Sequence, residues 1–330
     1  MRAAVISDVN AVEVTTVDDP TPGPLEVVVA VAACGICGTD LHILDGEFAP
    51  SLPIIPGHEF AGEVVAVGGD VTQVEVGDQV AVDPNLHCGS CHYCRQGRGN
   101  LCEHYAAIGV TTAGGAAEYA VAPMGNCFRL RAWFRTADAA LIEPLSCAVH
   151  GYDVLPRRLG EHYLIYGAGT MGLMMAALAP RAGAASVTVV DPNTSRLQTA
   201  SALGVDTAVT GADEADRPRG WDIVIDCTGV VAAIEDGLTR VAPGGTFLQF
   251  GVSSEAASAQ LSPFKVYNKE ITINGSMAIL HSFQRAGELL HAGALDPELF
   301  ISDRVPLDTY PDAIERFRSG AGRKIQVQPS

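Results

Sequence analysis

Residues 1–130 alternate short apolar runs with turn-forming residues, which is typical of a β-rich domain. The segments EVVVAVAACGICGTD (26–40), FAGEVVAVGGDV (60–71) and GDQVAVDP (77–84) are rich in valine and are punctuated by Gly, Asp and Pro. Valine favours extended strands, while glycine, aspartate and proline end them. The first part of the chain is therefore predicted to form a domain of short strands.

From about residue 160 the pattern changes to apolar strands that alternate with helical segments. HYLIYG, SVTVVD, WDIVIDCTG and TFLQFGV have the pattern of strands, and TMGLMMAALAPRAG, TSRLQTASALG and AIEDGLTRVAPGG have that of helices between them. This alternation indicates a parallel sheet wrapped by crossover helices. The predicted fold class is α/β with two domains, one β-rich and one a doubly wound parallel sheet. Helices around SFQRAGELLHAG and PDAIERFRSG and a last strand, KIQVQ, follow.

Composition narrows the class of protein further. A chain of 330 residues with 48% hydrophobic residues suits a globular protein of about two domains. Its formal charge of −17 argues against nucleic acid or an acidic membrane surface as a partner. The start shows no signal-peptide pattern, and no run of about 18 apolar residues suggests a membrane span. We therefore expect a cytoplasmic protein, in which clustered cysteines are metal ligands or catalytic groups more often than disulfides.

Four of the nine cysteines lie in the polar stretch HCGSCHYCRQGRGNLC. Cys88, Cys91, Cys94 and Cys102 are separated by two, two and seven residues, and short loops of this kind can fold four thiolates around one tetrahedral zinc ion. A redox-active cysteine pair is the alternative. Because four thiolates leave no position for substrate, a zinc ion here is predicted to be structural. This lobe covers about residues 86–104.

The segment GAGTMG follows the first strand of the second region and carries the G-x-G-x-x-G pattern of Gly167, Gly169 and Gly172. With a strand before and a helix after, the pattern predicts a pyrophosphate site at the helix N-terminus. Asp191 ends the next strand and is expected to bind the adenosine ribose, which favours NAD over NADP. Arg196 either weakens the preference for NAD over NADP or is a charged residue on the helix surface. Further cofactor contacts are predicted for Thr170, Met171, Cys227, Thr228, Gly251 and Val252.

A dinucleotide site beside a β-rich domain suggests hydride transfer, and the first domain offers candidate metal ligands. Cys37 lies in CGICGTDLH, His58 and Glu59 lie in PGHEFAGEVVAVG, and Glu143 lies in LIEPLSCAVH. Singly, each has an ordinary reading as a small buried residue, a core histidine or a surface charge. Together they form a set of sulfur, nitrogen and oxygen donors with room for substrate. An open zinc site of this type lowers the pKa of a bound hydroxyl and so favours release of hydride.

These motifs together resemble the zinc-containing medium-chain dehydrogenase/reductase family. The resemblance rests on GHEFAGEVVAVGGDV, CGICGTDLH, the four-cysteine lobe and the GAGTMG turn, and it covers nearly the whole chain. It implies a GroES-like catalytic domain over residues 1–150 and a Rossmann NAD-binding domain over residues 151–281. Residues 282–330 would return to the catalytic domain. A homodimer or homotetramer is implied as well, with the sheet edge near ITINGSM as a pairing surface.

The resemblance also implies roles for individual residues. Cys37 and His58 match the ligands of a catalytic zinc, and Glu59 matches a carboxylate that either binds zinc or lies behind it. At the fourth ligand position, liver-type alcohol dehydrogenases have cysteine, whereas this chain has Glu143. A glutamate at this position resembles the polyol (sorbitol-like), sugar and threonine dehydrogenases. Thr39 and His42 match a hydroxyl and an imidazole that relay the substrate proton toward solvent; for His42 the alternative is a surface hydrogen-bonding role. Two zinc ions per chain and NAD are the expected cofactors.

The substrate is less well defined by the sequence. The stretch LDGEFAPSLPIIPGHEF lacks the tryptophans of the threonine dehydrogenases, which favours a polyol, sugar or cyclitol whose secondary alcohol is oxidised to a ketone. Phe48 is a candidate contact for the carbon skeleton or a core residue. L-Threonine or a simple secondary alcohol is the alternative substrate. A non-catalytic zinc protein that binds NAD is the second alternative. The basic, aromatic segment of residues 127–138 receives no interpretation from the sequence.

Overall fold

The structure, a computed structural model, describes residues 1–47, 51–215 and 217–329. Phe48 lies outside the described residues. The strands are β1 (Arg2–Asp8), β2 (Ala11–Thr16), β3 (Glu26–Gly35), β4 (Glu59–Val67), β5 (Gln79–Val82), β6 (Asn85–Leu86), β7 (Ala106–Ala107), β8 (Tyr119–Pro123), β9 (Cys127–Arg129), β10 (Glu161–Tyr166), β11 (Ala184–Val190), β12 (Thr207–Val209), β13 (Trp221–Asp226), β14 (Val241–Gln249), β15 (Thr272–Gly275), β16 (Ile301–Pro306) and β17 (Lys324–Gln328). The helices are α1 (Gly38–Leu44), α2 (His92–Arg95), α3 (Ile142–Asp153), α4 (Thr170–Leu178), α5 (Thr194–Ala202), α6 (Val231–Arg240), α7 (Pro263–Lys269), α8 (Phe283–His291), α9 (Pro297–Phe300) and α10 (Tyr310–Arg318).

The chain divides into two compact units. The first contains residues 1–146 and 279–330, and the second contains residues 147–278. The first unit is therefore built from two separate stretches of chain, with β16, β17 and α10 supplied by the C-terminal stretch. Within the described part of the chain, no helix combines the length and the apolar character needed to cross a membrane.

The first unit is organised around a seven-stranded sheet. Its strands follow the order β16-β17-β3-β4-β5-β9, and β8 pairs with β3. The valine-rich β3 lies in the middle of this sheet and pairs with the antiparallel strands β4 and β8 along its two edges. Consecutive side chains of β3 are buried, so this strand is covered on both faces of the sheet. In the pairing of β3 with β4, Gly35 lies opposite Glu59, which fixes the start of β4 beside the end of β3.

The second unit is a six-stranded parallel sheet in the order β12-β11-β10-β13-β14-β15. The order reverses beside β10, so helices cover both faces of the sheet, as in a doubly wound fold. Leu164, Val224 and Phe247 belong to the buried cluster on one face. The predicted combination of a β-rich part with a parallel α/β sheet is confirmed.

Candidate functional site

The four lobe cysteines converge on one point in the first unit. The sulfur atoms of Cys88, Cys91, Cys94 and Cys102 all lie within 4.8 Å of one another. The Sγ–Sγ distance is 3.6 Å between Cys102 and Cys88 and 3.9 Å between Cys91 and Cys102. A tetrahedron with Zn–S bonds of about 2.3 Å has edges of about 3.8 Å, so the spacing of these sulfurs fits zinc.

Backbone amides of the lobe point at these sulfurs. Cys91 N–H donates to Cys88 Sγ at 3.4 Å, and Cys94 N–H donates to Cys91 Sγ at 3.5 Å. The backbone N–H of Ser90 and further hydrogen bonds lower the pKa of the Cys88 thiol to about 5. Desolvation and the neighbouring thiols raise the pKa of Cys94 to about 12. The backbone hydrogen bonds therefore favour the thiolate form at some of these sulfurs but not at all four together. A bound cation would stabilise the thiolate form of all four.

A second cluster of donors lies where β3, β4 and α1 meet. Cys37 is the N-cap residue of α1, His58 directly precedes β4, and Glu59 begins β4. The candidate ligand atoms of Cys37, His58 and Glu59 lie within 4.8 Å of one another. Cys37 is half-buried, whereas His58 and Glu59 are buried. Cys34 and Cys37 are both free thiols.

Buried charge surrounds His58. Burial by itself lowers the pKa of this imidazole, but the hydrogen bond to Cys37 and the charges of Cys37, Asp40 and Glu143 outweigh it, so the net pKa is raised. Asp40 Oδ1 lies 3.8 Å from His58 Nδ1, and neither atom has a hydrogen-bond partner among the described residues. Asp40 Oδ2 accepts from Cys37 N at 2.8 Å. One carboxylate thus positions the backbone of Cys37 and faces the ring of His58.

Glu59 forms a buried ion pair that the sequence analysis missed. Lys324 Nζ lies 2.6 Å from each carboxylate oxygen of Glu59 and donates to the carbonyl of Ile36 at 3.0 Å. The two side chains are 3% and 1% exposed. A Cβ atom on Gly35 would stand 2.1 Å from Glu59 Oε2, so the pair needs glycine at that position. The feature of the sequence that could have indicated this ion pair is a single lysine at the start of the last apolar strand, which is weak evidence for a buried charge.

Glu143 lies in the first turn of α3 and is buried. It is not a member of the cluster of Cys37, His58 and Glu59. Its charge nevertheless contributes to the raised pKa of His58 and of Lys324, which places it within electrostatic range of both. The structure therefore brings three of the four predicted ligands together and keeps the fourth nearby.

The two residues predicted to relay protons both lie in α1. Thr39 Oγ1 is 3.8 Å from Cys37 Sγ, so this hydroxyl borders the cluster of donors. His42 lies one turn further along, and its Nδ1 atom is 2.6 Å from Oε2 of Glu47. Glu47 is a second residue that the sequence analysis did not single out.

The glycine turn of the second unit has the predicted shape. Gly167 adopts a φ of +97°, and a Cβ on Gly172 would stand 1.8 Å from the carbonyl oxygen of Gly167. A Cβ on Gly169 would contact no described residue within 4 Å, so the middle glycine leaves open space at the start of α4. In the described part of the chain no side chain caps this helix start, so its first N–H groups are available to an anion. Thr170 and Met171 occupy the first turn of the helix.

Asp191 follows β11 and is buried. Its Oδ2 atom accepts from Ala168 N at 2.7 Å, and its Oδ1 atom accepts from Asn193 N at 2.8 Å. The carboxylate thus joins the end of β11 to the glycine turn. Arg196 Nη1 lies 3.8 Å from Asp191 Oδ2, so the arginine charge is beside this carboxylate rather than isolated on the helix surface.

The remaining predicted cofactor residues lie at the same edge of the sheet. Cys227 and Thr228 follow β13, while Gly251 and Val252 follow β14. Buried Asp226 bonds to both segments: its side chain accepts from Thr228 N and Oγ1 and from the backbone of Gly229, and its carbonyl accepts from Gly251 N at 2.7 Å. The carboxyl ends of β10, β11, β13 and β14 are adjacent, which is where doubly wound sheets bind ligands.

Comparisons with known proteins agree with this geometry. Residues 23–132 match the family model described as the alcohol dehydrogenase GroES-like domain, and residues 170–292 match the model described as zinc-binding dehydrogenase. D-arabinitol dehydrogenase 1 of Uromyces fabae is 36% identical over 92% of this chain and 90% of its own length. L-threonine 3-dehydrogenase of Saccharopolyspora erythraea is 38% identical over 98% of both chains.

A crystal structure of a zinc-binding dehydrogenase from Sinorhizobium meliloti 1021, bound to NADP, superposes with a TM-score of 0.95 at 34% identity and covers 99% of both chains. The prediction of zinc and a nicotinamide dinucleotide as cofactors is confirmed, as is that of a GroES-like and a Rossmann-type part. With both parts matched by these models, the chain belongs to the zinc-containing medium-chain dehydrogenase family and is an oxidoreductase.

Proposed function

We propose that the protein interconverts a secondary alcohol of a polyol, sugar or cyclitol and the corresponding ketone, with NAD as hydride acceptor. The observation that carries this proposal is the cluster of Cys37, His58 and Glu59, with Glu143 within electrostatic range. These residues provide sulfur, nitrogen and oxygen donors, a set that suits zinc and leaves room for substrate. The similarity to D-arabinitol dehydrogenase 1 supports a polyol.

Different residues of the first unit would bind zinc, transfer the substrate proton and position the ligands. Cys37 and His58 would hold zinc, together with a carboxylate from Glu143 or Glu59. Zinc in this site supplies a Lewis acid that polarises the substrate hydroxyl. Thr39, whose hydroxyl borders Cys37, would accept the substrate proton and pass it to His42. Asp40 would position Cys37 through the hydrogen bond to its backbone and places a carboxylate 3.8 Å from the ring of His58.

The cysteine lobe has a separate role in this proposal. Cys88, Cys91, Cys94 and Cys102 would hold the second zinc ion, and four thiolates leave no coordination position for substrate. This zinc would stabilise the loop between β6 and β7, in which the only regular elements are α2 and one short 3₁₀ turn. Its contribution is to folding, since a bound structural zinc ion stabilises the folded chain.

The second unit would bind NAD at its glycine turn, and NAD rather than NADP. The open space at Gly169 and the free N–H groups at the start of α4 support a pyrophosphate there. Asp191 would accept from the ribose hydroxyls and repel a 2′-phosphate. Arg196, 3.8 Å from this carboxylate, reduces the repulsion. Binding of NADH and NADPH, followed by fluorescence, tests the preference: equal dissociation constants would overturn it.

The decisive experiment is NADH formation by zinc-loaded protein with a panel of polyols, aldoses, cyclitols, simple alcohols and L-threonine. We expect turnover with a polyhydroxylated compound and its loss in Cys37→Ser, which should still fold and bind NADH. Cys127→Ser is the matched control, because this half-buried thiol lies in β9, belongs to neither cluster of donors, and hydrogen-bonds to the carbonyl of Pro123. Full turnover in Cys37→Ser would refute the assignment of the zinc ligands.

L-Threonine is a second candidate substrate. The observation in its favour is the 38% identity to an L-threonine 3-dehydrogenase over 98% of both chains. The absence of tryptophan from residues 44–60 argues in the other direction. The same panel separates the two candidates, because a kcat/KM for L-threonine above that for every polyol would replace the first proposal with the second.

The assembly we propose is a homodimer or homotetramer that pairs through β15. This strand is the outer strand of the parallel sheet, and Ile273 on it is exposed. Phe264 and Tyr267 on the preceding helix α7 are 69% and 82% exposed, and large apolar side chains in such a patch are typical of interfaces. Light scattering after gel filtration tests this proposal, and a monomer at all concentrations would refute it.

We also place the protein in the cytoplasm. All nine cysteines are free thiols, and four of them form the lobe cluster. Free, closely spaced thiols persist in a reducing compartment. Cell fractionation that located the protein in an oxidising compartment would contradict this placement.

A further inference from the structure

The turn after α1 brings a carboxylate onto His42. Gly46 adopts a φ of +80°, which reverses the chain after the helix. The backbone N–H of Glu47 then donates to the carbonyl of His42 at 2.7 Å. The side chain of Glu47 meets the ring of the same residue, with Oε2 2.6 Å from Nδ1. Glu47 is therefore attached to His42 through both its backbone and its side chain.

This contact determines which ring nitrogen carries the proton. An ionised carboxylate only accepts hydrogen bonds, so Nδ1 must be the protonated nitrogen of a neutral ring. Nε2 is then the unprotonated nitrogen of the ring, and it can accept a proton. Within the described residues, His42 is the one side chain to which the carboxylate of Glu47 bonds. The carboxylate is therefore not shared with a surface cation.

We propose that Glu47 is a positioning residue of the dehydrogenase reaction, which holds His42 in the tautomer whose Nε2 accepts the substrate proton. This inference rests on the proposed function, in which His42 receives that proton through Thr39. The substrate C–H bond gives a hydride, with its electron pair, to NAD, and the O–H proton passes through Thr39 to Nε2 of His42. The imidazolium releases a proton to water, since the His42 side chain is 27% exposed. Glu47 acts only through His42.

The variant Glu47→Gln keeps the size of the side chain and removes the obligatory acceptor. An amide can accept from Nδ1–H or donate to a bare Nδ1, so the tautomer is no longer fixed. We expect kcat for alcohol oxidation to fall about tenfold while KM stays within twofold, because general acid–base catalysis needs the correct tautomer. Glu47→Asp should recover part of the loss.

The matched control is Asp45→Asn. Asp45 is another carboxylate at the end of α1, but it pairs with Arg318 of α10 and not with the imidazole. Its loss weakens the attachment of α1 to α10 without changing the tautomer, so kcat should stay within twofold of wild type. In a His42→Ala background, Glu47→Gln should have no further effect, because the residue through which it acts has gone.

A second measurement does not depend on turnover. ¹⁵N NMR of histidine-labelled protein, with the His42 signals assigned by their loss in His42→Ala, reports the tautomer directly. We expect Nδ1–H in wild type and a mixture of tautomers in Glu47→Gln. An unchanged tautomer together with an unchanged kcat in Glu47→Gln would overturn the proposal.

The proton relay through His42 and the role of Glu47 can be refuted separately. If His42→Ala oxidises substrate at the wild-type rate, the proposed proton relay fails, whatever the tautomer. If His42→Ala loses activity but Glu47→Gln does not, the relay stands and the role of Glu47 is refuted. If no alcohol on the panel is oxidised, the proposed function fails, while the NMR spectrum still decides whether Glu47 sets the tautomer.

Discussion

Replacing Lys324 with methionine should destabilise the protein strongly. Lys324 Nζ bonds to both carboxylate oxygens of Glu59, and both side chains are almost completely buried. Methionine fills a similar volume but carries no charge. The variant therefore leaves the carboxylate of Glu59 without its partner inside the protein.

The burial of this ion pair determines how much stability Lys324→Met should lose. Breaking a buried ion pair by removal of one partner costs about 3–5 kcal/mol, because the remaining charge stays buried and unpaired. For a folding unit of about 200 residues, 1 kcal/mol changes Tm by about 2–4 °C, so Lys324→Met should lower Tm by about 6–20 °C. The double variant Lys324→Met/Glu59→Gln removes the unpaired charge as well. It should recover most of this loss, since replacing both partners by neutral groups is much cheaper than breaking the pair.

Thermal unfolding followed by circular dichroism, at equal zinc content, tests this prediction. Arg219→Met is the matched control, because Arg219 is exposed in the turn before β13, and a surface substitution of this kind changes stability by less than about 0.5 kcal/mol. A Tm for Lys324→Met within 2 °C of wild type, or a double variant less stable than the single one, would refute the reasoning about the buried charge.

Three further perturbations test other parts of the molecule. Gly172→Ala should abolish NADH binding, measured by fluorescence, at unchanged zinc content, because its Cβ would stand 1.8 Å from the carbonyl of Gly167; Gly169→Ala should keep the wild-type Tm, since its Cβ contacts nothing. A lower Tm in Gly169→Ala would contradict this. Cys94→Ser should reduce zinc from two ions to one per chain and lower Tm, and full zinc content would exclude the four-thiolate site. Burial raises the pKa of Asp83 from 3.8 to about 6, so the native chain retains a proton that the unfolded chain loses, and stability falls as pH rises through this range. Asp83→Asn should therefore add on the order of 1 kcal/mol at pH 7 and nothing near pH 3 in urea unfolding; an equal gain at both pH values would be inconsistent with this cause.

Features that depend on neighbours along the chain could be predicted from the sequence. The alternation of strand and helix predicted the parallel sheet because the apolar period of each element is local. The spacing of Cys88, Cys91, Cys94 and Cys102 predicted one cluster because short loops keep these sulfurs close in any compact arrangement. The glycine turn was predictable for the same reason. Gly167 and Gly172 meet within a single strand-to-helix connection.

Contacts between distant segments were decided only by the tertiary structure. Glu59 and Lys324 are 265 positions apart, and they meet because β3 pairs with β4 on one side and with β17 on the other. No period or motif in either segment specifies that pairing, and the lysine at the start of KIQVQ therefore passed as an ordinary strand residue.

The arrangement of the predicted zinc ligands shows the same limit. Cys37, His58 and Glu59 were predicted together and are clustered, whereas Glu143 lies outside that cluster. The sequence by itself determined which donor types are available and the local elements that carry them. The distances between those donors depend on strand pairing and on the packing of α1 and α3, which arise from burial of apolar surface across the whole unit and cannot be inferred from any one segment.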